Sequence, residues 1–227
     1  MYMTKAEILP DKVFDKDVWN KLQNTYSIHQ LVWSLFSKKP DDKRDFLYRY
    51  EFNRNVPTFY VVSKSIPANN LSYFNIDVKT YDPKINPGQH FLFSLRANPV
   101  VTKRDENGKQ KRHDVVMDEK YRLQSEKLNS SKLPPISEIA HEKGLEWLNK
   151  KGLKNGFTFD WRNVRADGYQ THNFKKPKGS GQIKISTLDF DGMIQVTDME
   201  SFTNALFNGI GPAKSFGCGL MLVKPIR

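Results

Sequence analysis

The sequence predicts an α+β fold made of two tandem ferredoxin-like domains, and three observations predict it. At 227 residues the chain is too long for one small α+β unit and suits two. Strand-like and helix-like patterns follow the order β, α, β, β, (α), β, and the pattern then repeats. Between the two runs lies Asp82-Pro-Lys-Ile-Asn-Pro-Gly88, dense in turn formers. These place one domain over residues 1–85 and a second over 86–227. The duplication rests on element order, with no clear residue-level repeat behind it.

In the first unit, residues 1–9 form a short apolar run with partial alternation, read as a strand that Pro10 and Asp11 end. Residues 15–36 read as helical, with Asn24 or Thr25 able to cap the second part. Ile28, Leu31, Val32 and Leu35 fall at the i, i+3, i+4, i+7 spacing of a core-facing stripe. Lys39-Pro40-Asp41-Asp42 breaks the helix. The aromatic and β-branched runs at 46–52 and 58–63, separated by Asn53-Arg-Asn-Val-Pro57, read as a hairpin. A short element around 69–74 and a strand near 76–81 complete the unit.

In the second unit, residues 91–97 alternate as a strand that Pro99 stops. Residues 136–151 are helical, with Ser137 as N-cap and Gly152 as stop. Residues 157–164 and 182–190 are strand-like, and 192–196 follow an Asp191-Gly192 turn. A helix at 200–208 and a strand at 220–223 end the chain.

Composition then narrows the function. Apolar residues make up 38% of the chain and aromatics 12%, too much for a disordered basic tail. No apolar stretch is long enough to span a membrane. Charges at Lys5, Glu7, Asp11, Lys12 and Asp15 interrupt any secretory leader in the first 20 residues. Cys218 is the single cysteine, so an internal disulfide and a cysteine-rich zinc site are excluded. The chain reads as soluble and cytoplasmic. Its net charge of +11 points to a polyanionic partner, RNA or DNA before membrane. Between Lys150 and Lys184 nine basic residues (Lys150, Lys151, Lys154, Arg162, Arg165, Lys175, Lys176, Lys178, Lys184) face only Asp160 and Asp167. Residues 101–132 are also basic (Lys103, Arg104, Lys111 and Arg112 among them), though six acids dilute them.

Three constellations could carry chemistry. Tyr26 and His29 lie about one turn apart on a flank beside the apolar stripe, so a phenol and an imidazole face outward together. Gly209-Ile-Gly211-Pro-Ala-Lys-Ser-Phe-Gly217-Cys-Gly219 joins a helix to a strand. It can present N–H groups to phosphate or pack tightly, and Lys214 within it favours an anion. It is neither a P-loop nor a dinucleotide fingerprint. Lys175-Lys176-Pro-Lys178-Gly-Ser-Gly181 is a basic loop able to enter a groove of folded RNA. His29, His90, His113, His141 and His172 show no paired metal-ligand spacing, and no compact carboxylate set is present.

Tyr26-x-x-His29, Leu95-Arg96-Ala97-Asn98-Pro99 and Gly209-x-Gly211-x5-Gly217-x-Gly219 together resemble the CasE family, the CRISPR RNA-processing endoribonucleases of type I-E Cascade. The likeness runs the length of the chain, and the glycine-rich segment is its most specific part. It implies two RAMP-type ferredoxin-like domains that grip the stem-loop of a CRISPR repeat transcript (pre-crRNA). They cut at its 3′ base without metal or cofactor, leave a 2′,3′-cyclic phosphate, and keep the crRNA within Cascade. The family's catalytic pair falls on His29 and Tyr26, and its groove-inserting hairpin on about 164–184. Arg96, Lys103, Arg104, Lys111, Arg112, Arg162, Arg165, Lys175, Lys176, Lys178, Lys184 and Lys214 are the expected RNA contacts. The helix lysine of some wider relatives is missing: Ser34 stands five after His29, with Lys38 and Lys39 the nearest downstream, which leaves a third catalytic group open. Two rival readings are a noncatalytic RNA-binding or scaffold subunit of the same fold, and a single-strand binder using Phe and Tyr as stacking platforms.

Overall fold

The computed structural model describes residues 1–22, 25–36, 44–68, 72–126, 133–175 and 182–226. In β1 (Tyr2–Ile8) the alternate side chains Thr4, Ala6 and Ile8 are buried, the period-two signature of a strand with one face on a core. α1 (Lys16–Leu22) and α2 (Thr25–Trp33) cover that face. The predicted stripe is the contact: Ile28, Leu31, Val32 and Leu35 share a core with Ala6, Phe59 and Val61. The stretch expected at 15–36 is therefore two helices, and Asn24 lies outside the described residues. β2 (Phe46–Asn53) and β3 (Val56–Ser63) form the expected hairpin. Its corner is Arg54-Asn55, both at positive φ (49° and 66°), which suits the strand twist. β4 (Phe74–Thr80) completes an antiparallel sheet of order β2-β3-β1-β4, the ferredoxin-like arrangement. Phe74 already belongs to β4, and residues 69–71 of the short element expected before it lie outside the described residues.

The second unit repeats this plan with an insertion. β5 (His90–Ala97) is followed by a hairpin of β6 (Val100–Arg104) and β7 (Gln110–Asp114), then by α3 (Val115–Ser125). The Asp114 side chain caps α3 by accepting from the Val116 and Met117 N–H groups. None of these three elements was predicted: the hairpin strands are largely exposed and charged, so they carry no apolar alternation. α4 (Ile136–Lys154) and α5 (Met199–Asn208) pack Leu145, Leu148, Phe202 and Leu206 onto Phe93, Leu95 and Phe190. β11 (Met221–Pro225), β5 and β10 (Gln182–Val196) lie in that order. β8 (Phe157–Thr158) and β9 (Val164–Lys175) share the far edge of β10.

Three local expectations are corrected. β10 runs straight through Asp191-Gly192 with no turn; glycine is needed there because a Cβ would overlap the Asn163 carbonyl oxygen. α4 starts behind Pro135, so Ser137 is not its cap, and it continues past Gly152 to Lys154. Gly152 is a contact residue, since a Cβ would sit 2.7 Å from the Phe157 carbonyl oxygen. Residues 157–164 hold only the two-residue β8 and a 3-10 turn, Trp161–Asn163, before β9 begins.

The two units meet across a small core of Leu47, Val62 and Leu220, with Tyr81, Phe207 and Leu222 against it. Among the described residues no helix is long and apolar enough to cross a membrane.

Candidate active site

The flank of α2 that carries His29 turns inward over β2, which corrects the outward expectation. The imidazole lies 6.2 Å from the Tyr48 ring at 27°, 6.2 Å from Phe46 and 5.7 Å from Trp33. Its Nδ1 is buried and has no hydrogen-bond partner among the described residues. Burial, and then the charge of Arg44, lowers its pKa from 6.5. The ring is thus mostly neutral at pH 7, the form that accepts a proton. Tyr26, one turn earlier on α2, is partly buried.

The glycine-rich segment brings the second unit to this histidine. Its 3-10 turn, Lys214–Phe216, lies against α2 and β2. The Tyr48 hydroxyl donates to the Ser215 carbonyl at 3.1 Å, and Arg44 Nη1 donates to Ser215 Oγ at 3.2 Å. Phe216 packs on Phe174 of β9 with ring centres 4.9 Å apart. One short loop therefore ties the histidine's support to the long β9–β10 hairpin.

The glycines serve this closeness. A Cβ at Gly217 would sit 3.3 Å from the Tyr48 ring, and one at Gly211 would lie 3.2 Å from Trp147. The expected display of N–H groups to phosphate is not met at Gly209 or Gly219. The Gly209 N–H donates to the Ala205 carbonyl at 2.8 Å and that of Gly219 to the Arg96 carbonyl at 2.7 Å. Gly209 combines φ 74° with ψ 160°, a region essentially restricted to glycine. A Cβ there would also sit 2.9 Å from both the Gly219 carbonyl and Leu47 Cδ1. Gly209→Ala is expected to cost about 1–3 kcal/mol in backbone strain alone. That lowers Tm by roughly 2–4 °C for each kcal/mol in a chain of this size. A thermal melt checks this against Gly108→Ala, whose Cβ would meet nothing within 4 Å.

Lys214 gives the loop a positive charge. Burial lowers its pKa, and Arg44 and Lys151 lower it further, so three cations crowd one side of the seam. Burial also lowers the pKa of Arg44. Such crowding is costly in the free protein and is relieved by an anion. Sequence reasoning did not single out Arg44, which sits in no motif, and it named Lys151 only within the basic run.

The other predicted contacts divide into groups. Arg96 is committed elsewhere: Nε and Nη2 each donate to Asp189 at 2.7 Å, while Nη1 donates to the Tyr50 carbonyl at 3.2 Å. It ties the two units together and is not an open phosphate ligand. Lys103 pairs with Asp118 (2.6 Å), Lys111 with Asp105 (3.0 Å), Arg162 with Asp160 (2.6 Å) and Arg165 with Asp167 (2.8 Å). Exposed pairs of this kind are weak and exchange readily for a phosphate. Asp160 and Asp167 therefore each neutralise a near neighbour. Arg104, Arg112 and Lys184 are exposed and have no ion pair among the described residues. Lys175 ends β9; its side chain and all of Lys176 and Lys178 lie outside the described residues. No group of three or more His, Cys, Asp or Glu that could hold a metal ion occurs among the described residues.

Two ferredoxin-like units joined at a seam that holds a largely neutral imidazole among cations define a protein suited to gripping a polyanion. A family model described as "CRISPR associated protein" matches residues 1–225. The chain is 30% identical over 219 residues to the Escherichia coli K12 "CRISPR system Cascade subunit CasE", covering 95% of this chain and 98% of that one. It is 22% identical to the Thermus thermophilus "CRISPR-associated endoribonuclease Cse3", covering 99% and 100%. Among solved structures, Cse3 bound to a 19 nt RNA superposes with TM-score 0.72 at 24% identity, covering 99% of this chain and 100% of that one. The E. coli Cas6e crystal structure superposes at 0.64 and 25%, covering both chains completely. The chain belongs to the CRISPR-associated protein family.

Proposed function

We propose that this chain is a metal-independent endoribonuclease that binds the stem-loop of a CRISPR repeat transcript and cuts it at the 3′ base of the stem. The 30% identical relative is named a Cascade subunit, which supports retention of the product crRNA within Cascade. That work belongs in the cytoplasm. The two units, divided near residue 85, would hold the RNA across their seam, with the β9–β10 hairpin reaching along it.

One observation carries the reading. His29, whose pKa is lowered by burial, sits at the seam beside Arg44, and Arg44 crowds Lys214. RNA brings its own nucleophile, the 2′-hydroxyl, so the protein must align it with phosphorus, move protons and stabilise the phosphorane. In this reading the His29 imidazole takes the 2′-hydroxyl proton or returns one to the leaving 5′-oxygen. The 2′-oxygen–phosphorus bond forms as the bond from phosphorus to the 5′-oxygen breaks, giving a 2′,3′-cyclic phosphate and a 5′-hydroxyl. Tyr26 orients the 2′-hydroxyl or the phosphate. Arg44 and Lys214 supply positive charge to the phosphorane oxygens.

Incubation with the native repeat transcript tests this. A single cut at the 3′ base of the stem, with a cyclic phosphate end and the same rate in EDTA, is the expected result. Abolition by chelation would sink the metal-free reaction, and tight hairpin binding with no cut would identify a noncatalytic subunit.

A further inference from the structure

Beside Tyr48 a cavity of about 320 Å³ opens between the first unit and the β9–β10 hairpin. Its wall from the first unit includes Tyr48 and Tyr50 of β2, together with Ile28, the residue before His29. The wall from the second includes Phe216 and, from the hairpin, Gln170, His172 and Thr187. The residues on the hairpin's other face, Tyr169, Thr171 and Ser186, line a separate hollow against α3. The ribbon is therefore a partition, and only one of its faces looks toward the catalytic helix.

The lining has a specific chemistry. Tyr50 and Phe216 supply aromatic surface, with the fully buried Tyr48 behind them, and base–aromatic stacking favours any nucleobase. The Tyr50 hydroxyl is buried and has no hydrogen-bond partner among the described residues. A buried hydroxyl left unpaired is unfavourable, and a ligand that pairs with it recovers that energy. Burial raises the Tyr50 pKa to about 12, so the group remains a hydroxyl that can donate or accept. His172 Nε2 is joined to Thr187 Oγ1 at 2.9 Å, which fixes that ring. Arg96, also in the lining, gives three of its five N–H donors to Asp189 and Tyr50 and has its charge balanced by Asp189, so the cavity offers little net charge to a phosphate. A single base fits the volume. Tyr48 forms part of the cavity wall and also stacks on His29.

We propose that this cavity is a base-reading subsite, taking the unstacked nucleobase of a nucleotide that flanks the scissile phosphate, with Tyr50 Oη pairing to the base edge. The proposal rests on the endoribonuclease reading and deepens it: the cations hold the phosphate, and this hollow selects the nucleotide beside it. Splaying a base into a pocket is the usual way to read single-stranded RNA, and it would also bend the backbone toward in-line attack.

The test uses the full-length protein with repeat RNAs abasic at the nucleotide 5′ or 3′ of the cut, compared with intact RNA by single-turnover kcat/KM. The wild type should cut one of the two abasic RNAs about ten-fold or more slowly than intact RNA, the range expected for a lost stacked base. Tyr50→Phe, which keeps the volume, should slow cutting of intact RNA by about two- to ten-fold, the worth of one hydrogen bond. On the sensitive abasic RNA it should change nothing. Equal cutting of all three RNAs by the wild type overturns the proposal while leaving the nuclease intact. A Tyr50→Phe effect of the same size on intact and abasic RNA, or no effect on either, overturns it as well. Failure of the wild type to cut intact RNA is a failure of the underlying function and removes both.

Discussion

His29→Ala is expected to slow single-turnover cleavage of the repeat hairpin by about 10²- to 10⁴-fold, the usual worth of positioned acid–base help. Affinity for the hairpin should stay within a few-fold, because the imidazole is largely neutral and the charge proposed to hold phosphate lies on Arg44, Lys214 and the hairpin. A proportional loss of binding and cutting would instead assign His29 to packing against Trp33, Phe46 and Tyr48. The pH profile carries the sign. Burial and Arg44 favour the neutral ring, so its free-enzyme pKa lies below 6.5. If His29 is the base for the 2′-hydroxyl, kcat/KM rises with pH through that lowered pKa and then levels off. If it is only the acid for the 5′-oxygen, the same limb falls with pH. Either limb should vanish in His29→Ala, and its persistence would transfer the role to another group.

A 2′-deoxy substitution at the nucleotide on the 5′ side of the scissile phosphate should abolish cutting outright while leaving hairpin binding unchanged. Nothing replaces the missing nucleophile: without the 2′-oxygen no cyclic phosphate can form, whatever His29 and the cations do. The same substitution one nucleotide away should leave the rate close to that of unmodified RNA. Residual cleavage at the modified site with a non-cyclic end would mean that water attacks phosphorus, and the transesterification reading would fail. Loss of binding together with loss of cutting would mean that the 2′-hydroxyl serves recognition, as it often does in RNA complexes.

The parts of this molecule that local pattern can encode were legible. The stripe of Ile28, Leu31, Val32 and Leu35 defined α2 and its buried face, because helical period converts directly into contact. The aromatic runs around Arg54-Asn55 defined the β2–β3 hairpin. Errors arose where the reason for a residue lies on another segment. Gly192 resembled a turn but marks the close approach of Asn163, and Gly152 resembled a helix stop but makes room for Phe157. β6 and β7 escaped because their sides are largely wet and charged, leaving no apolar period to find.

By itself the sequence determined a double α+β chain, a strongly basic balance, and a histidine and tyrosine sharing one helical flank, since composition and period are local properties. Only the tertiary structure decided which basic residues are free to meet an anion, because charges far apart in the chain neutralise or crowd one another only after folding. Arg96 is occupied by Asp189 from 93 positions away, whereas Arg44 and Lys214 crowd one side of the seam. The hollow beside Tyr48 likewise exists only where the two units close, and the inward turn of His29 and its lowered basicity only where α2 packs on β2, because desolvation is a property of packing and not of any one segment.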